Sequence, residues 1–164
     1  MDRQKVTPFL WFEGQAEEAV NFYASVFKDV KIIEMTRYGE DTPGQPGTVM
    51  TVEFELFGQR FVALNGGPEF KFTPAVSFMV RCQSQEEVDR YWDQLLEGGQ
   101  ADNCGWLRDR YGLSWQIVPD ELYTLLNQPD REKADRVMQA MLRMVKLDVY
   151  ELRRASEQES APQP

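Results

Sequence analysis

The residues best placed to do chemistry lie in segment 104–119, which predicts two short strands joined by a Tyr-Gly turn at 111–112. Gln116 alternates with Trp115 and Ile117 on the second strand, so its side chain is expected to project from the opposite side of that strand, where it could contact a ligand. Its amide can donate and accept hydrogen bonds to a small polar ligand. A buried amide satisfied by backbone groups explains the same residue, and the sequence leaves both explanations open.

Aromatic and thiol side chains supply further candidates. Trp11, Trp106 and Trp115 can line an aromatic pocket, although packing in a core or a dimer interface is the commoner use of tryptophan. Cys104 precedes a glycine and could act as a nucleophile, but the chain contains no histidine to activate it. We therefore expect a structural role for its thiol.

Other polar residues have two explanations each. Asp109 and Arg110 flank the predicted turn and are expected to pair with neighbouring groups rather than act on a substrate. Asn65 could face a cavity or form a turn. Glu53 and Glu55 share one strand face, which suits acid–base chemistry, but an exposed sheet surface explains them more simply.

Composition narrows the class of partner. The 164 residues include 42% hydrophobic residues, enough for a sizeable core, and carry a formal charge of −9. This acidic balance argues against nucleic acid and anionic membranes, because both require a basic surface. No apolar run approaches the roughly 20 residues of a membrane helix, and the first residues predict no signal peptide.

The two cysteines are too far apart for a redox or zinc motif. Cys82 and Cys104 are separated by 21 residues, so they do not form a Cys-x-x-Cys pair. Two reduced thiols are typical of a cytoplasmic protein, and this is the location we expect.

An internal repeat organises the chain. Residues 8–23 align without a gap on residues 77–92. In this alignment Phe9 corresponds to Phe78, and the acidic pair 17–18 corresponds to the acidic pair 86–87. Each copy begins as an apolar strand and continues as an amphipathic helix. We interpret the repeat as a duplication.

Both repeat helices have one apolar face and clear end signals. The apolar residues of the first helix are Ala16, Ala19, Val20, Tyr23 and Phe27. Those of the second are Val88, Tyr91, Trp92, Leu95 and Leu96. Ser84 and Glu87 predict a capping box at the start of the second helix, and Gly98 and Gly99 predict its end.

Strand signals follow each helix, giving the order β-α-β-β-β twice. In the first half they cover 30–38, 48–56 and 60–65. In the second half they cover 75–82 before the helix, a weak strand near Gln100, and the hairpin 104–119.

Beyond Pro119 the pattern becomes helical. A short helix is interrupted at 127–130, and a longer one follows. The apolar face of that longer helix comprises Val137, Met138, Met141, Leu142 and Val145. One or two further turns are predicted at 148–155. We therefore divide the chain into modules 1–67 and 68–119, a helical extension 120–155 and a disordered tail 156–164.

Three passages resemble the PhnB-like family, often labelled 3-demethylubiquinone-9 3-methyltransferase-like. They are TPFLWFEGQAEEA at 7–19, the hairpin 104–119, and AMLRMVKLD at 140–148. This family is part of the vicinal oxygen chelate (glyoxalase/bleomycin resistance/dioxygenase) superfamily. The resemblance implies an α+β fold in which two βαβββ modules form a cupped mixed sheet around a cavity, with C-terminal helices and a homodimeric assembly.

In the metal enzymes of this superfamily, His and Glu side chains of the first and last strands bind a divalent ion. Carried over by the repeat, the two His places fall at Pro8 and Ser77. The last-strand places fall at Gln116 and, in the first module, at Val62 or Leu64. None of these is an imidazole or a carboxylate, which a divalent ion requires. We expect no metal and no other cofactor.

The methyltransferase label implies a binding site for S-adenosylmethionine. An enzyme that uses S-adenosylmethionine normally has a Gly-rich loop between a strand and the start of a helix. Gly66 and Gly67 are followed by Pro68 and by no helical pattern. Methyltransferase activity is therefore not expected.

These observations predict a metal-free protein that binds a small organic molecule in an aromatic cavity. The expected ligand-binding residues are Trp11, Asn65, Cys104, Trp106, Trp115 and Gln116. The alternative is an enzyme of the same superfamily, a lyase, an isomerase or an oxygenase-like catalyst, that uses Gln116, Cys104 or Asp109 without a metal. A role in association alone is the third hypothesis.

Overall fold

The computed structural model describes residues 4–158, which form two compact units with their boundary between Phe72 and Thr73. The predicted tail begins at Ser156, but Ser156 and Glu157 belong to the last helix. The rest of that predicted tail, from 159 onwards, lies outside the described residues. Within residues 4–158, no helix has the length and apolarity needed to cross a membrane.

The first unit is a four-stranded mixed sheet with one helix. Its elements are β1 (Phe9–Phe12), α1 (Ala16–Val26), β2 (Val30–Arg37), β3 (Val49–Leu56) and β4 (Gln59–Asn65). The strand order is β1-β4-β3-β2, with β1 parallel to β4 and the other pairs antiparallel. Phe57 and Gly58 both have positive φ and form the two-residue turn between β3 and β4.

The second unit repeats this order and adds three helices. Its elements are β5 (Ser77–Cys82), α2 (Gln85–Leu96), β6 (Gln100–Ala101), β7 (Trp106–Arg108), β8 (Ser114–Pro119), α3 (Glu121–Leu126), α4 (Arg131–Leu142) and α5 (Val149–Glu157). The strand order β5-β8-β7-β6, again with the outer pair parallel, matches that of the first sheet. The predicted α+β class with two βαβββ modules and C-terminal helices is confirmed.

The apolar helix faces form the cores of the two units. In α1 the predicted residues are buried, and Val26 joins them. In α2 the buried residues are Val88, Tyr91, Trp92 and Leu95, while Leu96 is half-buried. Burial of a side chain of this size stabilises the folded state by roughly 1.5–3 kcal/mol, so these faces hold the helices against the sheets.

The ends of α2 follow the predicted signals with one difference. The Ser84 hydroxyl accepts a hydrogen bond from the Glu87 amide, whereas the Glu87 carboxylate accepts from the amide of Gln83 rather than that of Ser84. At the other end, a Cβ on Gly99 would lie 2.2 Å from the carbonyl oxygen of Arg108. Glycine is therefore required where the chain leaves the helix.

The two repeats are not related by a gap-free alignment. Leu10 and Phe12 are buried in β1, as Val80 and Cys82 are in β5, so Phe12 corresponds to Cys82 and not to Arg81. The helix N-caps nevertheless keep the predicted offset, because the loop before α1 is one residue longer than the loop before α2. A one-residue slip exchanges the two faces of a strand, so the alignment was correct for the helices and wrong for the strands.

The C-terminal extension, residues 120–158, packs on the second unit. A cluster of apolar side chains joins it to β8, and its buried members are Val118, Leu122, Val137, Leu147 and Leu152. The extension also pairs with the hairpin, because the carbonyls of Met144 and Val145 accept from the amides of Cys104 and Gly105 at 2.8 and 2.7 Å. The extension is thus an integral part of this unit.

The predicted apolar face of the long helix is divided between core and surface. Val137 is fully buried and Met141 packs against the cluster. Met138, Leu142 and Val145 are instead 38%, 53% and 46% exposed. Val145 also lies beyond the end of α4, which the periodicity had extended too far.

Candidate functional site

One face of the second sheet concentrates polar side chains. Side chains alternate between the two sides of these strands, and Val80, Trp115 and Ile117 are buried on one side. The opposite side is here named the polar face, and it carries Ser77, Met79, Trp106, Arg108, Gln116 and the buried Ser114.

The strand register places these side chains in two rows across the sheet. In the first, here named the apolar row after its outer members, Gln116 lies between Met79 of β5 and Trp106 of β7. In the second, here named the hydroxyl row, Ser114 lies between Ser77 and Arg108. Partners in register project from the same side of a sheet and lie within contact distance, so an amide and two hydroxyls converge between an aromatic ring and a thioether.

Gln116 has a side-chain partner on this face. Its Nε2 donates to the hydroxyl of Ser77 at 2.9 Å, and the residue is half-buried. Its side chain therefore lies on the side of the strand opposite Trp115 and Ile117, and its amide bonds a side chain and not the backbone. That it faces a ligand cavity stays a prediction. Its Oε1 has no hydrogen bond among residues 4–158.

Ser114 is the exception in the hydrogen-bond network of the described residues. It is 1% exposed, and its Oγ has no hydrogen-bond partner among residues 4–158. Buried polar atoms are almost always paired, since an unpaired one costs about 1–3 kcal/mol. This hydroxyl therefore requires an explanation.

Arg108 is held at the edge of the polar face by a carboxylate. Its Nε and Nη2 donate to the two oxygens of Asp102 at 3.0 and 3.2 Å. Both side chains are about one-third exposed. This ion pair fixes the guanidinium group and does not use its Nη1 atom.

Trp115 lies on the buried side, away from Gln116. It is 2% exposed, and its indole Nε1 donates to Asp109 Oδ2 at 2.9 Å. Asp109 Oδ1 also accepts from the amides of Tyr111 and Leu113. The carboxylate therefore shapes the hairpin turn, which confirms that Asp109 pairs with its neighbours.

Neither cysteine has the surroundings of a nucleophile. Cys104 is half-buried with φ of 59°, and its amide is bonded to the extension. Burial, with added repulsion from Glu87 and Asp120, raises the pKa of Cys82 to about 12. A thiol with that pKa stays protonated and unreactive at neutral pH.

Asn65 has a structural role that the sequence did not indicate. Its Oδ1 accepts from the amide of Ala16 at 2.8 Å, and its Nδ2 donates to the carbonyl of Val49 at 3.0 Å. The N-cap residue of α1, Gln15, makes no side-chain capping bond. Asn65 thus caps a helix from a distant strand and ties that helix to β3.

Trp11 anchors the loop after β4. Its Nε1 donates to the carbonyl of Gly67 at 2.9 Å, and its ring packs edge-on against Phe70 with centroids 4.9 Å apart. A Cβ on Gly66 would lie 2.4 Å from that ring, so only glycine fits. Packing contacts account for this tryptophan.

The first unit contains a cavity that the sequence did not predict. It measures about 800 Å³ and lies where β1, β2 and β4 end. Its charged and polar lining includes Glu13, Glu17, Arg37, Tyr38, Asn65 and Glu69. Residues from three separate loops meet here, and no local sequence motif marks the place.

The side chains of the polar face do not suit a divalent metal ion. Hydroxyls, an amide and a thioether are poor ligands for a divalent ion, which needs imidazole or carboxylate groups. In the described part of the chain, no three His, Cys, Asp or Glu residues cluster closely enough to hold a metal.

The strand register also locates the equivalent positions in the first unit. Phe9 pairs with Val62 as Met79 pairs with Gln116, so Val62 and not Leu64 is the counterpart of Gln116. The same correction makes Thr7, not Pro8, the counterpart of Ser77. Neither Val62 nor Thr7 supplies an imidazole or a carboxylate.

Two βαβββ units with this strand order define the glyoxalase-type fold of the vicinal oxygen chelate superfamily. The family model described as 3-demethylubiquinone-9 3-methyltransferase matches residues 4–118, and the chain belongs to this PhnB-like family. The C-terminal extension lies beyond the matched residues.

Solved structures agree with this assignment. A PhnB protein from Bacillus cereus, described as a 3-demethylubiquinone-9 3-methyltransferase, is 41% identical over 71% of this chain and 99% of its own, with a TM-score of 0.65. Protein PA1353 from Pseudomonas aeruginosa is 20% identical over 72% of this chain and all of its own, with a TM-score of 0.58.

More distant similarity concerns the fold alone. The fosfomycin resistance protein FosX from Listeria monocytogenes is 14% identical over 78% of this chain and all of its own, with a TM-score of 0.58. The comparison with curated proteins gives no significant match.

Proposed function

We propose that the protein binds a small organic molecule on the polar face of its second sheet, without a metal ion. The observation that carries this proposal is the buried hydroxyl of Ser114, which has no partner among residues 4–158. A ligand that hydrogen-bonds this hydroxyl would offset the cost of its burial.

The neighbouring side chains support the same proposal. Gln116 offers a free carbonyl oxygen two residues along the strand, and Trp106 and Met79 flank it on either side. A few convergent polar groups beside apolar surface are typical of small-molecule sites. The polar groups would orient the molecule, and the apolar ones would cover it.

Trp106 and Gln116 are the sequence candidates that this proposal retains as contact residues. Four other candidates are engaged in packing or in hydrogen bonds within the fold, so we assign them supporting roles, namely Trp115, Trp11, Asn65 and Cys104. The hydroxyls of Ser77 and Ser114 are added to the contact set, because they share the face of Gln116.

Methyl transfer is not proposed, despite the family description. A dinucleotide- or methyl-donor-type site requires a Gly-rich loop that runs from a strand into a helix. Gly66 and Gly67 leave β4 and pack against Trp11 and Glu69, and the next helix begins only at Gln85. Their conformation therefore serves packing.

A thermal-shift screen of small organic molecules tests the proposal. A ligand present at 100 times its Kd stabilises the folded state by about 2.7 kcal/mol, which raises Tm by roughly 5–10 °C in a protein of this size. The shift should be lost in Gln116→Ala and Trp106→Ala. It should persist in Gln94→Ala, which changes an exposed glutamine of α2.

Two results would contradict the proposal. Either no compound in the screen raises Tm, or Gln116→Ala and Trp106→Ala keep the full shift. The second result would direct attention to the cavity of the first unit, where Glu17→Gln and Tyr38→Phe are the corresponding variants.

The metal-free part of the proposal has its own measurement. Purified protein is dialysed without chelator and analysed for zinc, nickel, iron and manganese, and we expect less than about one-tenth of an equivalent of each, since the face offers no strong ligand. A stoichiometric metal that survives dialysis would refute this part and favour a metal-dependent enzyme.

A further inference from the structure

The hydrogen-bonding groups of the polar face are mostly donors. Ser77 accepts from Gln116, so its own hydroxyl hydrogen remains to be donated. Ser114 brings a second hydroxyl hydrogen that has no acceptor in the described part of the chain. The acceptors on this face are the two hydroxyl oxygens and the amide oxygen of Gln116.

Trp106 and Arg108 increase this excess of donors. Across residues 4–158, the Trp106 indole N–H has no hydrogen-bond acceptor, although indole nitrogens can only donate. Arg108 uses Nε and Nη2 to bind Asp102, which leaves the hydrogens on Nη1 and one on Nη2. Four side chains therefore offer donors to whatever occupies the face.

A group rich in acceptors complements such a face, and an anionic one does so best. Hydrogen bonds to a charged oxygen are roughly twice as strong as those between neutral groups. The Arg108–Asp102 pair is neutral as a whole, so the face carries no charge that would repel an anion. A carboxylate has two acceptor oxygens and no donor.

We infer that the polar face binds a small organic acid, whose carboxylate contacts the hydroxyl row of Ser77, Ser114 and Arg108. The apolar part of the acid then lies along Met79 and Trp106, two residues further along the strands. The rows are about 7 Å apart, because a strand rises about 3.3 Å per residue. This inference rests on the proposed function and names the class of its ligand.

The test is a titration followed by the indole N–H signals of the four tryptophans in ¹⁵N-labelled protein. The probes are benzoate and propionate, each with its neutral amide as a match in size. Benzoate should move the Trp106 signal. The Trp115 and Trp11 signals should stay in place, because their N–H groups are bound to Asp109 and Gly67.

Variants locate the carboxylate. Ser114→Ala should raise the Kd for benzoate on the order of tenfold, as expected for one lost hydrogen bond to a charged group. Ser25→Ala changes an exposed serine of α1 and should leave the Kd unchanged. Arg108→Gln should weaken benzoate more than benzamide, since it removes a charged donor.

The outcomes separate this inference from the proposed function. If the amides bind as tightly as the acids, or if Ser114→Ala binds benzoate normally, the organic-acid assignment is wrong while the binding face stands. If neither acid moves the Trp106 signal, the inference is likewise overturned. If no compound of the wider screen acts through Gln116 or Trp106, the proposed function fails as well.

Discussion

The two sheets share one strand order but differ in how their polar side chains are used. In the first sheet, the place of Gln116 is taken by Val62, whose neighbour Glu53 forms an ion pair with Arg60 at 3.1 Å. Thr36 and Thr51 pair hydroxyl to hydroxyl on the same side of that sheet. In the second sheet, the hydroxyl of Ser114 has no such partner among residues 4–158.

This difference teaches where function can reside in a duplicated fold. The backbone ladders and helix faces are retained in both copies, because they hold each copy together. The side chains on the far side of each sheet are not needed for that purpose. In the first sheet several of them bond to one another, whereas in the second the Ser114 hydroxyl has no partner among residues 4–158.

The largest expected effect distinguishes the structural amide of Asn65 from the amide of Gln116, for which we propose a role in binding. Asn65→Ala should lower the free energy of unfolding by about 2 kcal/mol, because it removes the cap of α1 and leaves backbone groups unpaired. Gln116→Ala should lower it by less than about 0.5 kcal/mol, since only a half-buried contact with Ser77 is lost. Urea unfolding measures both.

Leu126→Met, a change of similar volume at a half-buried position, controls for general perturbation in the second unit. A cost for Gln116→Ala as large as that for Asn65→Ala would erase the distinction between the two sheets. Gln116 would then be a structural residue.

A smaller effect of opposite sign is expected at the unpaired hydroxyl. Ser114→Ala should raise the free energy of unfolding by about 1 kcal/mol in ligand-free protein, because it removes a buried group that lacks a partner. Thr51→Val should lower it by a similar amount, since Thr36 loses its hydroxyl partner. A destabilised Ser114→Ala would mean that this hydroxyl is already satisfied in the free protein.

The smallest effect concerns an ion pair of the second unit. The described residues of the first unit contain no counterpart of it. Lys146, in the extension, lies 2.8 Å from Asp89 of α2. The hydrogen bond from Lys146 lowers the pKa of Asp89 below its ordinary value of 3.8, and the same bond raises the pKa of Lys146 above 10.5. Both side chains are more than one-third exposed, so the pair contributes less than about 0.5 kcal/mol.

The sign of its pH dependence follows from these shifts. The stabilisation from Asp89 is complete above its unfolded pKa and is lost as the pH falls through its lower folded pKa. That from Lys146 is complete below its unfolded pKa and is lost as the pH rises through its higher folded pKa. Asp89→Asn should therefore differ from the wild type by the full amount between about pH 5 and 9. It should converge with the wild type only when the pH falls below the lowered folded pKa of Asp89 or rises above the raised folded pKa of Lys146.

Thermal unfolding across this range is the measurement, and 1 M salt should reduce the difference. A difference that persists at pH 2 would show that Asp89 acts through packing instead of charge.

The order of the elements could be predicted from the sequence, but the faces of the strands could not. Helical periodicity and the capping signals of Ser84 and Gly98 are local, so they survive without knowledge of the fold. The face of a strand depends on a single residue of loop length. A gap-free alignment of the two repeats cannot include the extra loop residue before α1.

Long-range hydrogen bonds explain what was missed in the candidate site. Asn65 caps Ala16 across 49 residues of sequence, and no local pattern indicates such a bond. The alternation around Gln116 did predict its side of the sheet. It could not predict the register, which brings Ser77, Ser114 and Arg108 into one row.

The hydrogen bonds between the hairpin and the extension impose an order on folding during synthesis. Cys104 and Gly105 leave the ribosome well before Met144 and Val145, whose carbonyls they bind. The strands of the first unit, by contrast, all lie within Phe9–Asn65 and find their partners early. Because nascent chains fold from the N-terminus onwards, the two hydrogen bonds at the start of the hairpin form only after the extension has been made.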